Sequence, residues 1–142
     1  MVAAASQRIV VGVDGSDSSL EALREGARVA GTLGAPLAAV MFWEGPPVYE
    51  GWGTVDPAVP PAGTEERLRS AIAGAFGNEV PEGLSAELVH GRAAARLVEE
   101  SERALMLVLG RGGRGGVRGG SLGSVSGACV AHARCPVLVV RH

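Results

Sequence analysis

The 142-residue chain contains no lysine; all 13 of its basic residues are arginine. That excludes every chemistry built on an ε-amino group: a Walker-type phosphate loop, a Schiff base and a kinase-type ion pair. Cysteine is nearly absent as well. Cys129 and Cys135 are too few for a disulfide framework. With His132 between them they would still lack a fourth metal ligand, and Cys135 precedes Pro136 outside the helical pattern. Buried thiols and a surface histidine are the expectation there. Charge of one sign is lacking too: the net charge is −2 and the pI about 5.9, which disfavours a generally basic nucleic-acid binder. No apolar run reaches the roughly 18 residues of a membrane helix. The opening Met1-Val-Ala-Ala-Ala-Ser-Gln-Arg8 turns polar after five apolar residues, short of the ~7–15 of an export signal. Residues 1–7 are expected to be flexible and the protein cytoplasmic.

What is present is a globular composition, 46 % hydrophobic and 20 % charged, at a length that suits one domain spanning residues 1–142. Short β-branched or apolar runs at 8–13, 36–43, 84–90, 105–109 and 136–140 read as strands. Between them lie helical patterns. Leu20, Leu23, Ala27 and Ala30 share a face, with Gly31 and Gly34 as the expected stop. Residues 64–76 follow, with Thr64 as the expected cap and Leu68, Ile72 and Phe76 facing inward; then 92–102 and 122–133. Residues 44–63 hold five of the eight prolines and form a loop, in which Tyr49 and Trp52 could cover a ligand. The alternation predicts an α/β fold: a doubly wound five-stranded parallel sheet with helices on both faces. Ligands of such sheets sit beyond the carboxyl ends of the strands, where the winding reverses.

Glycine is in excess, 22 residues, and half of residues 110–127 are glycine. A buried strand, a glycine-rich loop and a helix start make a phosphate-binding arrangement, because backbone N–H groups close around oxygens only where no Cβ intervenes. Ser124 and Ser126 add hydroxyls near the helix start. Gly110, Gly112 and Gly115 formally match a dinucleotide fingerprint, but Gly113 to Gly120 cannot open a stable helix. No acidic residue follows Glu102 to hold a ribose. Arg111, Arg114 and Arg118 each precede two glycines, as in segments that bind single-stranded RNA, yet the stretch lies inside the domain and has no aromatic residue.

From Ile9 to Arg141 the sequence resembles the universal stress protein family. Ile9-Val-Val-Gly-Val-Asp-Gly-Ser16 is similar to that family's first strand and terminal aspartate. Gly123-Ser-Val-Ser126 and Ala131-His-Ala-Arg-Cys-Pro-Val-Leu-Val-Val140 are similar to its last helix and strand. Gly110, Gly113 and the pair Gly123-Ser124 fit the spacing of its ATP-binding members. The resemblance implies a Rossmann-like, adenine nucleotide alpha hydrolase-like fold and a cytoplasmic, nucleotide-dependent stress sensor. It places Gly12, Val13 and Asp14 by the ribose and adenine, Phe42 at the adenine edge, and Leu109 and Gly110 beside the nucleoside. Gly113, Gly123, Ser124, Val125 and Ser126 would surround the phosphates. Where the family usually has serine then arginine after Gly110, this chain has Arg111 and Gly112. Arg111, Arg114 and Arg118 could neutralise a triphosphate. Asp14 could also orient water or a Mg²⁺ ion, which leaves slow ATP hydrolysis as an alternative. A second alternative is an interaction module binding RNA or protein through residues 110–121. The apolar strand at 136–140 is expected at a sheet edge, pairing in a homodimer.

Overall fold

The computed structural model describes residues 7–44, 59–112 and 123–141. Five parallel strands form one sheet: β1 (Ile9–Gly12), β2 (Leu37–Trp43), β3 (Ser85–His90), β4 (Met106–Gly110) and β5 (Val137–Val140). Their order is β3-β2-β1-β4-β5. Among the described residues four helices alternate with them: α1 (Asp17–Leu33), α2 (Thr64–Phe76), α3 (Ala93–Glu100) and α4 (Ser124–His132). The expected α/β class, strand count and layer arrangement are those observed, and β5 is an edge strand.

Alternation along the strands sorts the core into two layers. Ile9, Val11, Ala39, Met41 and Val108 pack with Ala22, Leu23 and Ala30 of α1 and Leu68 and Ala71 of α2. Val10, Ala38, Val40, Leu107 and Leu109 face the other way, toward Leu97 of α3 and Cys129 of α4. Each large side chain so buried contributes on the order of 1.5–3 kcal/mol.

The helix ends differ from expectation in three places. Gly31 does not stop α1; it lies inside the helix, which ends at Gly34 with φ 67°. Only one αL residue is needed at that end, and Gly34 supplies it. Thr64 does not cap α2. Gly63 does, at φ 91°, and the buried Thr64 hydroxyl donates instead to the Pro61 carbonyl at 2.8 Å. α3 ends at Glu100 rather than at residue 102, because the chain tightens into a turn closed by Arg103 N–H on the Glu100 carbonyl at 3.0 Å. At the head of α1, Ser16 is extended and accepts from Ser19 N–H, a cap worth about 1 kcal/mol.

Arg8 joins three elements just before β1. Its Nη1 donates to Glu87 Oε2 at 2.5 Å, and its Nη2 to Glu87 Oε1 at 3.0 Å and to Glu100 Oε1 at 3.1 Å. Ser85 Oγ also donates to Glu87 Oε2, at 2.7 Å. The Arg8 hydrogen bonds outweigh desolvation and hold the Glu87 carboxyl below its ordinary range.

Two outcomes follow for stability. A Cβ on Gly26 would lie 2.6 Å from Val11 Cγ2, whereas one on Gly31 meets nothing within 4 Å. Gly26→Ala is expected to destabilise by roughly 1–2 kcal/mol despite its better helix propensity. Gly31→Ala in the same helix should stabilise by roughly 0.5–1 kcal/mol; urea denaturation of the pair checks the opposite signs. Because the Glu87 pKa is depressed in the folded state, its contribution is present above the unfolded glutamate pKa and lost as pH falls through the folded value. The Glu87→Gln protein should therefore melt below wild type at pH 7, and the gap should close on acidification. Melting curves between pH 7 and pH 3 test this.

Candidate functional site

The chain steps from β1 to β2 to β3 in one direction, then returns across the sheet to place β4 and β5 on the far side of β1. The loops after β1 and β4 leave toward opposite faces, and a crevice opens between them. A cavity of about 470 Å³ lies there, within the range of small-ligand sites, ~300–1,000 Å³. Gly12, Val13 and Asp14 enter from the end of β1, Phe42 from β2, Leu109 and Gly110 from β4, and Gly123, Ser124, Val125 and Ser126 from the head of α4. Tertiary structure thus brings ten of the sequence-derived candidates into one cavity. The eleventh, Gly113, lies outside the described residues, as do Tyr49, Trp52, Arg114 and Arg118. Arg111 is described but is not among the residues that line the cavity.

Two glycines allow the strand ends to come together. A Cβ on Gly12 would meet Leu109 Cδ2 at 2.8 Å and Leu97 Cδ1 at 3.3 Å. A Cβ on Gly110 would lie 2.7 Å from the backbone carbon and oxygen of Ser18, atoms that cannot move aside without moving α1. The first turn of α1 is therefore pressed against the end of β4, and its head, like that of α4, abuts the cavity.

A chain of hydroxyls runs along this contact. Asp14 Oδ1 accepts from Ser16 N–H at 2.9 Å and from Ser16 Oγ at 2.5 Å. Ser16 Oγ lies 3.4 Å from Ser18 Oγ, and Ser18 Oγ donates to the Gly112 carbonyl at 2.5 Å. Across the cavity, the Arg111 backbone is held on both sides of its Cα. Its N–H donates to the Val140 carbonyl at 3.0 Å, and its carbonyl accepts from Gly123 N–H at 2.9 Å and from Ser126 Oγ at 3.0 Å. The expectation that Ser126 offers its hydroxyl proton to a ligand is corrected here: that proton is committed to the loop, and the side chain is buried.

The head of α4 keeps its backbone donors. Gly123 is the N-cap, extended at φ −67° and ψ 168°, and makes no side-chain cap. This start falls two residues later than residue 122, because Gly123 in that conformation is the last residue outside the helical bonding. The first helical bond runs from Gly127 N–H to the Gly123 carbonyl. The N–H groups of Ser124, Val125 and Ser126 precede it, and no acceptor among the described residues takes them. Three N–H groups at a helix head, beside a second helix head, favour an anionic ligand.

Other residues of the cavity carried a weaker signal or none. Ser16, Ser18 and Ser19 line it; a hydroxyl run directly after Asp14 at a helix start could have marked them. Ala93 and Leu97 also line it, but α3 reaches the site only through the crossover, which no local pattern announces. The cysteines stay out of the cavity. Cys129 is buried, Cys135 half-buried and His132 exposed. Desolvation, with the nearby Cys135 adding to it, pushes the Cys129 thiol up to about 11. Among the described residues no group of three or more His, Cys, Asp or Glu could hold a metal ion.

The strand order and the cavity at its reversal define an α/β protein of the Rossmann-like class with a cavity at the strand ends. The family model of the universal stress proteins matches residues 5–141, and this chain belongs to that family. A universal stress protein of Mycobacterium tuberculosis is 36 % identical over 146 residues, covering 93 % of this chain and 47 % of its own length. A second from the same organism is 32 % identical over 133 residues, covering 94 % of this chain and 44 % of its own length. The chain thus spans about half the length of the curated relatives it matches. Among solved structures, a universal stress protein in complex with cAMP superposes with a TM-score of 0.69 at 29 % identity, covering 94 % of this chain and 95 % of the other. The UspA protein of Lactobacillus plantarum shares the fold, with a TM-score of 0.72 at 22 % identity over 96 % and 98 % of the two chains. Among the described residues no helix is long and apolar enough to cross a membrane.

Proposed function

We propose that this protein binds ATP in the cavity between β1 and β4 and acts as a cytoplasmic, nucleotide-dependent sensor or regulator, one domain over residues 1–142. The observation that carries the reading is the convergence of three N–H groups at the head of α4, which no acceptor among the described residues takes, with the glycines that end β1 and β4. Backbone donors suit phosphate oxygens, and Leu97, Leu109 and Phe42 supply apolar walls for a base. The Asp14 carboxylate suits a ribose hydroxyl, and it is also the group that would hold a Mg²⁺ ion together with the phosphates. The cAMP bound by a structural relative supports an adenine nucleotide as the ligand class. Regulation is favoured over dedicated catalysis because Asp14 is the one titratable side chain lining the cavity among the described residues. It stands without the nucleophile-and-base pair that covalent or acid–base chemistry uses.

The same reading includes a homodimer through β5. That strand lies at the sheet edge, its four apolar residues are each only half-buried, and Val130 on neighbouring α4 is 53 % exposed. An open apolar edge favours a pairing strand. Sedimentation at tens of micromolar should show a species of twice the 14.4 kDa chain mass; a single-chain species rejects the dimer.

Mass spectrometry of nucleotide released on denaturing the freshly purified protein should find ATP or a related adenine nucleotide. Gly123→Val tests the site itself. The Gly123 backbone conformation is open to any residue and Gly123 lines the cavity, so the expected effect of the new side chain is crowding of the cavity rather than backbone strain. ATP affinity should fall on the order of a hundredfold as several charge-assisted bonds are lost, with the circular dichroism spectrum retained. Ser124→Ala, which leaves the N–H groups in place, should lose less than about tenfold. A folded Gly123→Val protein with wild-type ATP affinity by calorimetry would falsify the site.

A further inference from the structure

We infer that Ser18 is a positioning residue that makes the cavity selective for phosphorylated ligands over the bare nucleoside, an inference that rests on the adenine-nucleotide reading of the same site. Ser18 lies in the first turn of α1, 94 positions before its partner, and is 8 % exposed. Its Oγ donates to the Gly112 carbonyl at 2.5 Å. The hydroxyl has one proton, and that proton is given to the loop. Ser16 Oγ, 3.4 Å away, has its own proton on Asp14 Oδ1.

The consequence is electrostatic. A phosphate site made of backbone works only if N–H groups face the anion and carbonyl oxygens do not. The loop leaving β4 carries two carbonyls at its start, those of Arg111 and Gly112. α4 binds the first through Gly123 N–H and Ser126 Oγ, and α1 binds the second through Ser18. Both negative dipole ends are thereby satisfied by protein donors. Without the Ser18 hydroxyl, the Gly112 carbonyl gains freedom to turn into the cavity that Gly112 lines. There its partial negative charge repels a polyphosphate and leaves a neutral adenosine unaffected. Ser18 also cannot drift from its partner, since its backbone sits against Gly110 with no room for a methyl group.

The experiment is calorimetric titration of wild type, Ser18→Ala and Ser126→Ala with ATP and, separately, with adenosine. Ser18→Ala should weaken ATP by about tenfold and adenosine by less than about twofold, with Ser126→Ala shifting the ratio in the same direction. Ser18→Thr, which keeps the hydroxyl, should hold the wild-type preference. Equal weakening of both ligands, or no change in either, overturns the inference and leaves Ser18 a packing residue of the α1–β4 contact. A wild-type protein that binds neither adenosine nor ATP overturns the adenine-nucleotide reading and this inference with it. A wild type that binds both, beside a Ser18→Ala variant of unchanged preference, overturns this inference alone.

Discussion

The contact between Gly110 and the first turn of α1 is the constraint on which the site depends. With the Ser18 backbone 2.7 Å from where a Cβ would stand, α1 is drawn onto the end of β4 as closely as two backbones allow. That closeness lets α1, which begins after β1, and α4, which begins after β4, present their heads to one cavity. A larger residue at 110 would push α1 outward, and Ser18 would lose the Gly112 carbonyl. The glycine is needed here for space rather than for an unusual φ, unlike Gly34 and Gly63, which end or begin helices in the left-handed region.

Around that contact, the polar groups divide into those that described residues bond and those that none of them takes. The carbonyls at the start of the loop are bound by serines and by Gly123 N–H. The donors at the head of α4 are left without acceptors among the described residues. Such an imbalance of N–H over C=O has a cost when the site is shielded from water, and an anion removes that cost. The donors that the head of α4 turns to the cavity are backbone groups; no cationic side chain lines it among the described residues. Selectivity built on oriented peptides is also less sensitive to the choice of arginine positions than one built on side-chain charge.

The residue that holds the head of α4 also touches the sheet edge. Arg111 N–H is bound to the Val140 carbonyl, the last residue of β5, while its carbonyl holds the head of α4. The edge strand and the head of α4 are thus tied to the two sides of a single residue, whose φ and ψ set the angle between the two bonds. On the opposite side of the sheet centre, Arg8 clasps Glu87 and Glu100 and fixes β3 and α3 to β1.

Much of this was legible in the amino-acid sequence. Continuous apolar strands and amphipathic helices in strict alternation determined the parallel α/β sheet, because a strand buried on both faces and a helix buried on one leave different periodicities. The glycines after β4 and the Asp14 turn after β1 pointed to the strand ends where the cavity lies, since strand-to-loop transitions are local events. Helix boundaries were less legible: whether Gly31 or Gly34 ends α1, or Thr64 or Gly63 begins α2, depends on which φ the surrounding packing imposes. What only the tertiary structure decided is the division of labour among the hydroxyls. Ser18 and Ser126 are separated by over a hundred residues, yet both bind the start of one loop, and Leu97 arrives from a helix on the far side of a crossover. A hydrogen bond between residues far apart in sequence leaves no periodicity or spacing to read; it exists only once the sheet has brought the strand ends together.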